Sequence, residues 1–313
     1  MRKYDRNAVF NIAIKVILFI ILFAGSFCIA RLACGVSDWL SVLISFIPAA
    51  AGIVMFSFLL RHTKFYYSYY SFVSCFLFRA EKGKVYCPCC NKHFSQFCDE
   101  RFYADAERFN PDTFSRSRQD VICDFCRSAP RQRIIAKWAE QNLDLLKSSK
   151  ILYFAPELSM MLWFKRHSIK IKTADLFDKR ADLRLDLTAL DLPSESEDII
   201  FCNHVLEHVS DHLLALSELH RVIRKGGMLI ISFPVDEGLD GMIEDKNASP
   251  EDRLRLFGQH DHLRLFGKDS KIMLEKAGFE VNAIDIGALP DDIVPVTGPS
   301  DYDTNKVFCC IRK

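Results

Sequence analysis

From Arg133 to the C-terminus, short apolar runs alternate with amphipathic stretches, and no other feature narrows the possible folds as far. Ile134 to Leu146 has helical spacing of apolar residues, Lys150 to Phe154 reads as a strand, and Glu157 to His167 as a helix. Ile169 to Thr173 predicts a second strand ending at Asp175. Leu183 and Leu185 lead into a third position, Asp186, and Asp198 to Cys202 forms a buried fourth strand. Over Asp211 to Val222 the expected helix sets His212, Glu218 and Arg221 apart from Leu213, Leu214, Leu216 and Leu219. Gly226 and Gly227 turn the chain into the strand Met228 to Phe233. A helix over Lys268 to Ala277 and strands over Phe279 to Ile286 and Val307 to Ile311 close it. Strands separated by helices predict an α/β fold with a doubly wound, Rossmann-like sheet over residues 133–313, whose ligands bind beyond the carboxyl ends of the strands.

Polar residues collect at those ends: Asp175 after the second strand, Asp186 after the third, Asn203 and His204 after the fourth. A carboxylate after the second strand can accept hydrogen bonds from both hydroxyls of a nucleoside ribose. An aspartate there is equally at home as a cap or turn residue.

The order Asp186-Leu-Thr, then Asp198-Ile-Ile-Phe-Cys-Asn-His-Val-Leu-Glu-His-Val209, then Glu218-Leu-His-Arg-Val-Ile-Arg-Lys-Gly-Gly227 resembles class I S-adenosylmethionine-dependent methyltransferases of the ubiquinone-biosynthesis-like type (methyltransferase type 11). Lys225 stands where that group has proline. A narrower bacterial subfamily is similar over roughly residues 85 to 285. It shares a cysteine module, Arg131-Gln-Arg133, a first strand ending Phe154-Ala-Pro-Glu157, Glu244-Asp245, Pro250-Glu-Asp-Arg253 and Phe257-Gly-Gln-His-Asp-His-Leu-Arg264. The resemblance implies that S-adenosylmethionine lies over Phe154, Ala155, Pro156 and Glu157. By the same resemblance Asp175 and Leu176 sit at its ribose, Asp186 and Leu187 at its adenine, and Asn203 and His204 near the methyl donor. Where most of these enzymes have an acidic residue and a Gly-x-Gly turn, this chain has Tyr153 and Phe-Ala-Pro-Glu. Ala155 is small enough for close approach, and Glu157 brings a carboxylate to the cofactor's amino-acid end.

Two histidine groups invite catalytic roles. His204-Val-Leu-Glu-His208 matches the H-x-x-E-H pattern of inverted zinc peptidases, although it directly follows a buried strand instead of lying on a long helix. His260, Asp261 and His262 lie in the insertion after the fifth strand. They can supply a general base that deprotonates an acceptor hydroxyl, or they can form a loop knitted by local hydrogen bonds.

Ahead of this domain, Cys87-Pro-Cys-Cys90 and Cys123-Asp-Phe-Cys126 provide two C-x-x-C pairs over residues 81–132. Each pair can present two thiolates, so Cys87, Cys90, Cys123 and Cys126 are expected to hold a structural zinc in a ribbon-like module. Four protein ligands leave such an ion no open position for chemistry. The chain has 12 Cys, but it is long enough to bury a core without disulfides, and metal spacing argues for a reducing compartment. Arg116, Arg118, Arg127, Arg131 and Arg133 surround the second knuckle and suit either a solvated face or an anionic partner such as RNA.

Residues 1–80 carry most of the chain's excess apolar character. Trp39 to Leu60 is uncharged and long enough for a bilayer core of about 30 Å. Phe10 to Ala30 is interrupted by Lys15, which can snorkel. The expectation is a hairpin spanning about residues 10–30 and 39–60, with a cleaved signal peptide as the alternative reading of the first stretch. Both place the C-terminal part at the cytoplasmic face of the inner membrane. Arg2, Lys3, Arg6, Arg61 and Lys64 flank the spans in agreement. Phe65, Tyr66, Tyr67, Tyr69, Tyr70 and Phe72 suit the membrane interface.

The expected activity is therefore methyl transfer to oxygen of a small-molecule, lipid-linked or glycan acceptor. A net charge of +1 and the anchor argue against nucleic acid as a partner. An RNA methyltransferase reading its substrate through the cysteine module, and a scaffold that has lost its cofactor, are the other readings.

Overall fold

The structure is a computed structural model that describes residues 85–94, 96–97, 122–123, 125–284, 302–303 and 306–313. The expected hairpin, its aromatic flank, Arg116 and Arg118 lie outside the described residues. Among the described residues, no helix is long and apolar enough to cross a membrane.

Two short strands, β1 (Val85–Cys87) and β2 (Lys92–Phe94), form an antiparallel hairpin ahead of the main domain. Helices α1 (Pro130–Gln141) and α2 (Leu143–Ser148) follow, then β3 (Ile151–Phe154), α3 (Leu158–Arg166), β4 (Lys172–Ala174) and β5 (Glu197–Asn203). After α4 (His212–Val222) and β6 (Ile223–Ser232) comes an insertion carrying β7 (Val235–Asp236), β8 (Ile243–Glu244), α5 (Pro250–Phe257) and β9 (Arg264–Leu265). Helix α6 (Ser270–Lys276), β10 (Phe279–Ala283), β11 (Tyr302–Asp303) and β12 (Val307–Arg312) complete the chain.

The main sheet has the order β10-β12-β6-β5-β3-β4. Strands β4, β3, β5 and β6 run parallel, and β12 is antiparallel to both β6 and β10, so the sheet is mixed. Alternate residues supply two cores. Leu152, Phe154, Ile200, Cys202, Leu229 and Ile231 pack with Ala215, Leu216 and Leu219 of α4 and Leu274 of α6. On the opposite face Tyr153 and Phe201 meet Phe164 of α3, and Phe201 also meets Trp138 of α1. Burial on both faces explains why these strands read as unbroken apolar runs.

Four local expectations are corrected. The second strand begins at Lys172, not Ile169. Ser168 turns the chain at φ +56° and the Ile169 N–H donates to the Phe164 carbonyl, so Ile169 seals the end of α3 with its buried side chain. The third strand shrinks to one parallel bridge, Ala174 to Leu183, because the Asp182 carboxylate takes the Thr173 N–H and hydroxyl that would begin an edge ladder. Gly226 and Gly227 do not end an element. They lie within β6 at an irregularity in its pairing with β5, where Gly226 takes φ +72° and a Cβ on Gly227 would approach the Asp198 carbonyl to 2.7 Å. Helix α4 is rotated from its expected face: His212 is buried with Ala215, Leu216, Leu219 and Val222, while Leu213 and Leu214 are 59% and 46% exposed. The buried set follows the 3.6-residue period, and consecutive leucines cannot both share it.

Candidate functional site

The sheet reverses its winding between β3 and β5. From β3 the chain crosses to β4 on one side, then returns past β3 to β5 on the other. The crevice at the carboxyl ends of these strands is where an open α/β sheet takes its ligand.

The turn after β3 holds the first predicted residues. Phe154 ends the strand in the core, and Ala155 takes φ +47° while its N–H donates to the Ala174 carbonyl. That left-handed conformation normally favours glycine, so the methyl of Ala155 is the smallest side chain that departs from it. Pro156 and Glu157 are half-buried. Glu157 is not a bare charge. Arg131 donates to its Oε1 at 2.7 Å, Gln132 Nε2 also reaches Oε1, and Tyr153 OH lies 3.2 Å from Oε2. Burial, followed by the Glu157 charge, pushes the Tyr153 phenol well above its usual range, so it stays a donor.

Asp175 follows β4 as expected. Its Oδ1 accepts from the N–H groups of Phe177 and Asp178, leaving Oδ2 outside that turn. Leu176 is half-buried beside it. Asp186 Oδ1 accepts from the backbone and hydroxyl of Thr188, and the Leu187 side chain enters the core, so only this turn's backbone and carboxylate can face a ligand. Asn203, at the end of β5, is buried. Its Oδ1 accepts from Ser232 Oγ at 2.9 Å, and its Nδ2 has no partner. His204 takes φ +52° and points Nδ1 at Glu207 Oε1, 3.0 Å away. Burial, then the Arg131 charge, holds His204 below its usual pKa, against the opposing pull of Glu207. Burial alone would raise Glu207, but His204, then His208 and His262, outweigh it and hold its pKa below the usual value.

His204-x-x-Glu207-His208 lies on a turn closed by the His208 N–H to the Val205 carbonyl, not on a helix. The helical face a peptidase would need is absent from it. His260 and Asp261 are exposed, whereas His262 is buried with Nδ1 2.8 Å from the Phe257 carbonyl and its ring against His208. The three are thus not gathered into one solvent-facing base. Burial lowers the His262 pKa.

Residues that pattern reading did not single out hold this region together. The fully buried Arg264 guanidinium donates to the carbonyls of Leu206 and Val209 at 2.5 Å, to that of Ser210 at 3.3 Å, and twice to Glu244 Oε1. Only its place in the Phe257–Arg264 motif hinted at this.

The cysteine pairs form matching knuckles. The Asn91 N–H donates to the Cys87 carbonyl and the Arg127 N–H to the Cys123 carbonyl, with positive φ at both donors. Cys87 Sγ is 3.6 Å from Cys126 Sγ, and Cys90 Sγ is 3.8 Å from Cys123 Sγ. Sulfurs at the corners of a tetrahedron around an ion at ~2.3 Å lie about 3.8 Å apart, so the four can hold one. Burial opposes a thiolate at Cys126, yet hydrogen bonds from Cys123, Cys89 and Cys90 bring it down to about 5. Arg166 of α3 donates to the carbonyls of Pro88 and Cys89, and Arg133 donates to Ser128 while covering the Phe97 ring at 4.1 Å. Arg131 and Arg133 thus face inward rather than toward a nucleic acid.

Residues 165–231 match the family described as a methyltransferase domain. Over these residues the chain carries a methyltransferase-type domain. A search of curated protein sequences returned no match. Among solved structures, the chain is similar to the cyclase SpnF at 17% identity, over 55% of this chain and 63% of that one, with TM-score 0.40. The chain thus spans less than two thirds of that cyclase. It is also similar to a methyltransferase from Mesorhizobium loti at 14% identity (57% and 98% covered, TM-score 0.39). A third is a Burkholderia thailandensis N1-methyltransferase of 1,6-didemethyltoxoflavin, at 14% identity (57% and 77% covered, TM-score 0.37). Likeness at this level carries nothing about acceptor or mechanism.

Proposed function

We propose that this chain binds S-adenosylmethionine across the β3–β5 crevice and methylates a small-molecule, lipid-linked or glycan acceptor, at oxygen. The observation that carries the cofactor site is the Ala155 turn, whose left-handed backbone brings the chain end of β3 close to a ligand beside the open Oδ2 of Asp175. The Arg131–Glu157 pair beside that turn offers both signs of charge to the cofactor's carboxylate and ammonium. Asn203, buried at the end of β5, adds an amide to the same strand ends. Catalysis in this reading is alignment: the acceptor oxygen attacks the methyl carbon in line as the carbon–sulfur bond breaks, and the acceptor proton leaves to a base or water.

Cys87, Cys90, Cys123 and Cys126 hold a structural zinc in this proposal, supported by sulfur spacings close to tetrahedral edges. Residues 10–30 and 39–60 anchor the enzyme in the inner membrane with its catalytic domain in the cytoplasm, a reading supported by the flanking charges.

Calorimetric titration of S-adenosylmethionine into the full chain in detergent tests the cofactor site. Micromolar binding that weakens at least tenfold in Asp175→Asn is expected. That variant keeps the turn-accepting oxygen and removes the charge. No heat and no thermal shift at millimolar cofactor would overturn the reading and favour a scaffold.

A further inference from the structure

We propose that Glu207, His208 and His262 form a second metal site, distinct from the cysteine cluster, for a first-row divalent cation such as Zn²⁺. One ligand atom from each of the three lies within 4.8 Å of the others. Two imidazoles and a carboxylate form a donor set for such ions, and three protein ligands leave coordination positions open.

The individual groups are prepared for this. Glu207 is 0% exposed. His204 Nδ1 lies 3.0 Å from Oε1, and Oε2 meets no donor among the described residues. A carboxylate oxygen buried without a donor is unfavourable in general, and a bound divalent ion offsets that. His262 is 1% exposed, with Nδ1 donating to the Phe257 carbonyl. That bond fixes the tautomer and leaves Nε2 as a buried lone pair with no partner, the state of a metal-ligating histidine. The His208 ring stands 4.8 Å from that of His262 at 77°, and its Nδ1 is 3.3 Å from Asp261 Oδ2. Asp261 orients His208 as an outer carboxylate does in such sites.

The backbone is held as well. The Leu263 N–H donates to the Glu207 carbonyl at 2.8 Å, and Arg264 grips the carbonyls on either side of Glu207 and His208. Ligands sharing an ion at ~2.0–2.2 Å lie roughly 3–3.5 Å apart, so closure needs a small movement. The exposed His208 ring can supply it. His208 lies on the solvent side, so the open positions face water. A structural ion would be enclosed; this one can take an oxygen from an added ligand. His204, at the end of β5, touches Glu207, which places the ion next to the methyl-transfer crevice.

Zinc stoichiometry tests the site without reference to activity. The full chain in detergent is equilibrated with micromolar Zn²⁺, freed of excess by dialysis and assayed by elemental analysis. Two zinc ions per chain are expected, falling to one in His208→Ala, in His262→Ala and, independently, in Cys123→Ser. His208 is exposed, so its variant keeps the fold if the others do not, and circular dichroism checks this. One zinc that His208→Ala retains and Cys123→Ser loses would overturn the inference and leave the thiolate site standing. One zinc lost in His208→Ala would uphold it and remove the thiolate reading. Calorimetry with S-adenosylmethionine on the same samples separates failure of this site from failure of the cofactor site.

Discussion

Replacing Arg264 by methionine keeps most of the side-chain volume and removes every charged donor it provides. Five hydrogen bonds vanish: two to Glu244 Oε1 at 2.8 and 2.6 Å, and one each to the carbonyls of Leu206, Val209 and Ser210. Arg264 is 0% exposed, whereas the Glu244 side chain is 25% exposed, so water recovers part of the carboxylate's loss but little of the carbonyls'. Breaking a buried charge pair by removing one partner costs ~3–5 kcal/mol, and partial solvation of Glu244 places this case near the lower end, about 3 kcal/mol. For a folded unit of this size each kcal/mol shifts Tm by ~2–4 °C, so a fall of roughly 6–12 °C is expected. Urea and thermal unfolding of the full chain read this directly. Glu244→Gln, which leaves an acceptor for the guanidinium, should lose only about 1 kcal/mol. A loss below 1 kcal/mol for Arg264→Met, or equal losses for both variants, would refute the view that this guanidinium holds the 206–210 turn.

Gly227→Ala should destabilise by about 2–3 kcal/mol, read from the urea midpoint, because its Cβ would meet two backbone oxygens, of Asp198 and Arg224, at 2.7 and 2.9 Å. The Asp198 carboxyl is held below its usual pKa, first by the Lys150 N–H and then by Arg224. A depressed folded pKa adds stability that is present above the unfolded value of 3.8 and is lost as pH falls through the folded one. The wild-type urea midpoint should therefore fall more steeply than that of Asp198→Asn on acidification below about pH 4. Chelator titration should release zinc and lower the thermal midpoint of the wild type, and Cys123→Ser should already show the lower midpoint without chelator.

The two-sided sheet was legible because β3 and β5 are apolar throughout, and such runs are buried wherever they fold. The positions that misled are those where a side chain took over a backbone role. Asp182 occupied the donors of Thr173, so an apolar Leu183–Leu185 stretch formed a single bridge instead of a strand. Ile169 looked like the start of a strand because a residue that seals a helix end is as apolar as one in a sheet. In the site, Asp175, Asn203 and His204 fell at the expected strand ends, since strand termini follow from the pattern. The clamp on Glu157 could not be read this way. It joins Arg131 and Gln132 to a turn 25 residues further along through Gln132, and nothing local marks the partnership. His262 shows the converse limit: its motif was visible, but burial turned it inward toward Glu207 and His208.

Helix α1 begins beside the second cysteine knuckle, and its first turn grips Glu157 at the end of β3. Arg166 meanwhile ties the first knuckle's carbonyls to the helix that follows the same turn. The cysteine cluster and the Ala155 turn therefore share one mechanical support, through which filling one end is expected to alter the free energy of filling the other. Thermodynamic reciprocity then makes the two effects equal in size. A protein saturated with cofactor should surrender its thiolate-bound metal only at a higher chelator concentration, by the same factor that metal loss weakens the cofactor.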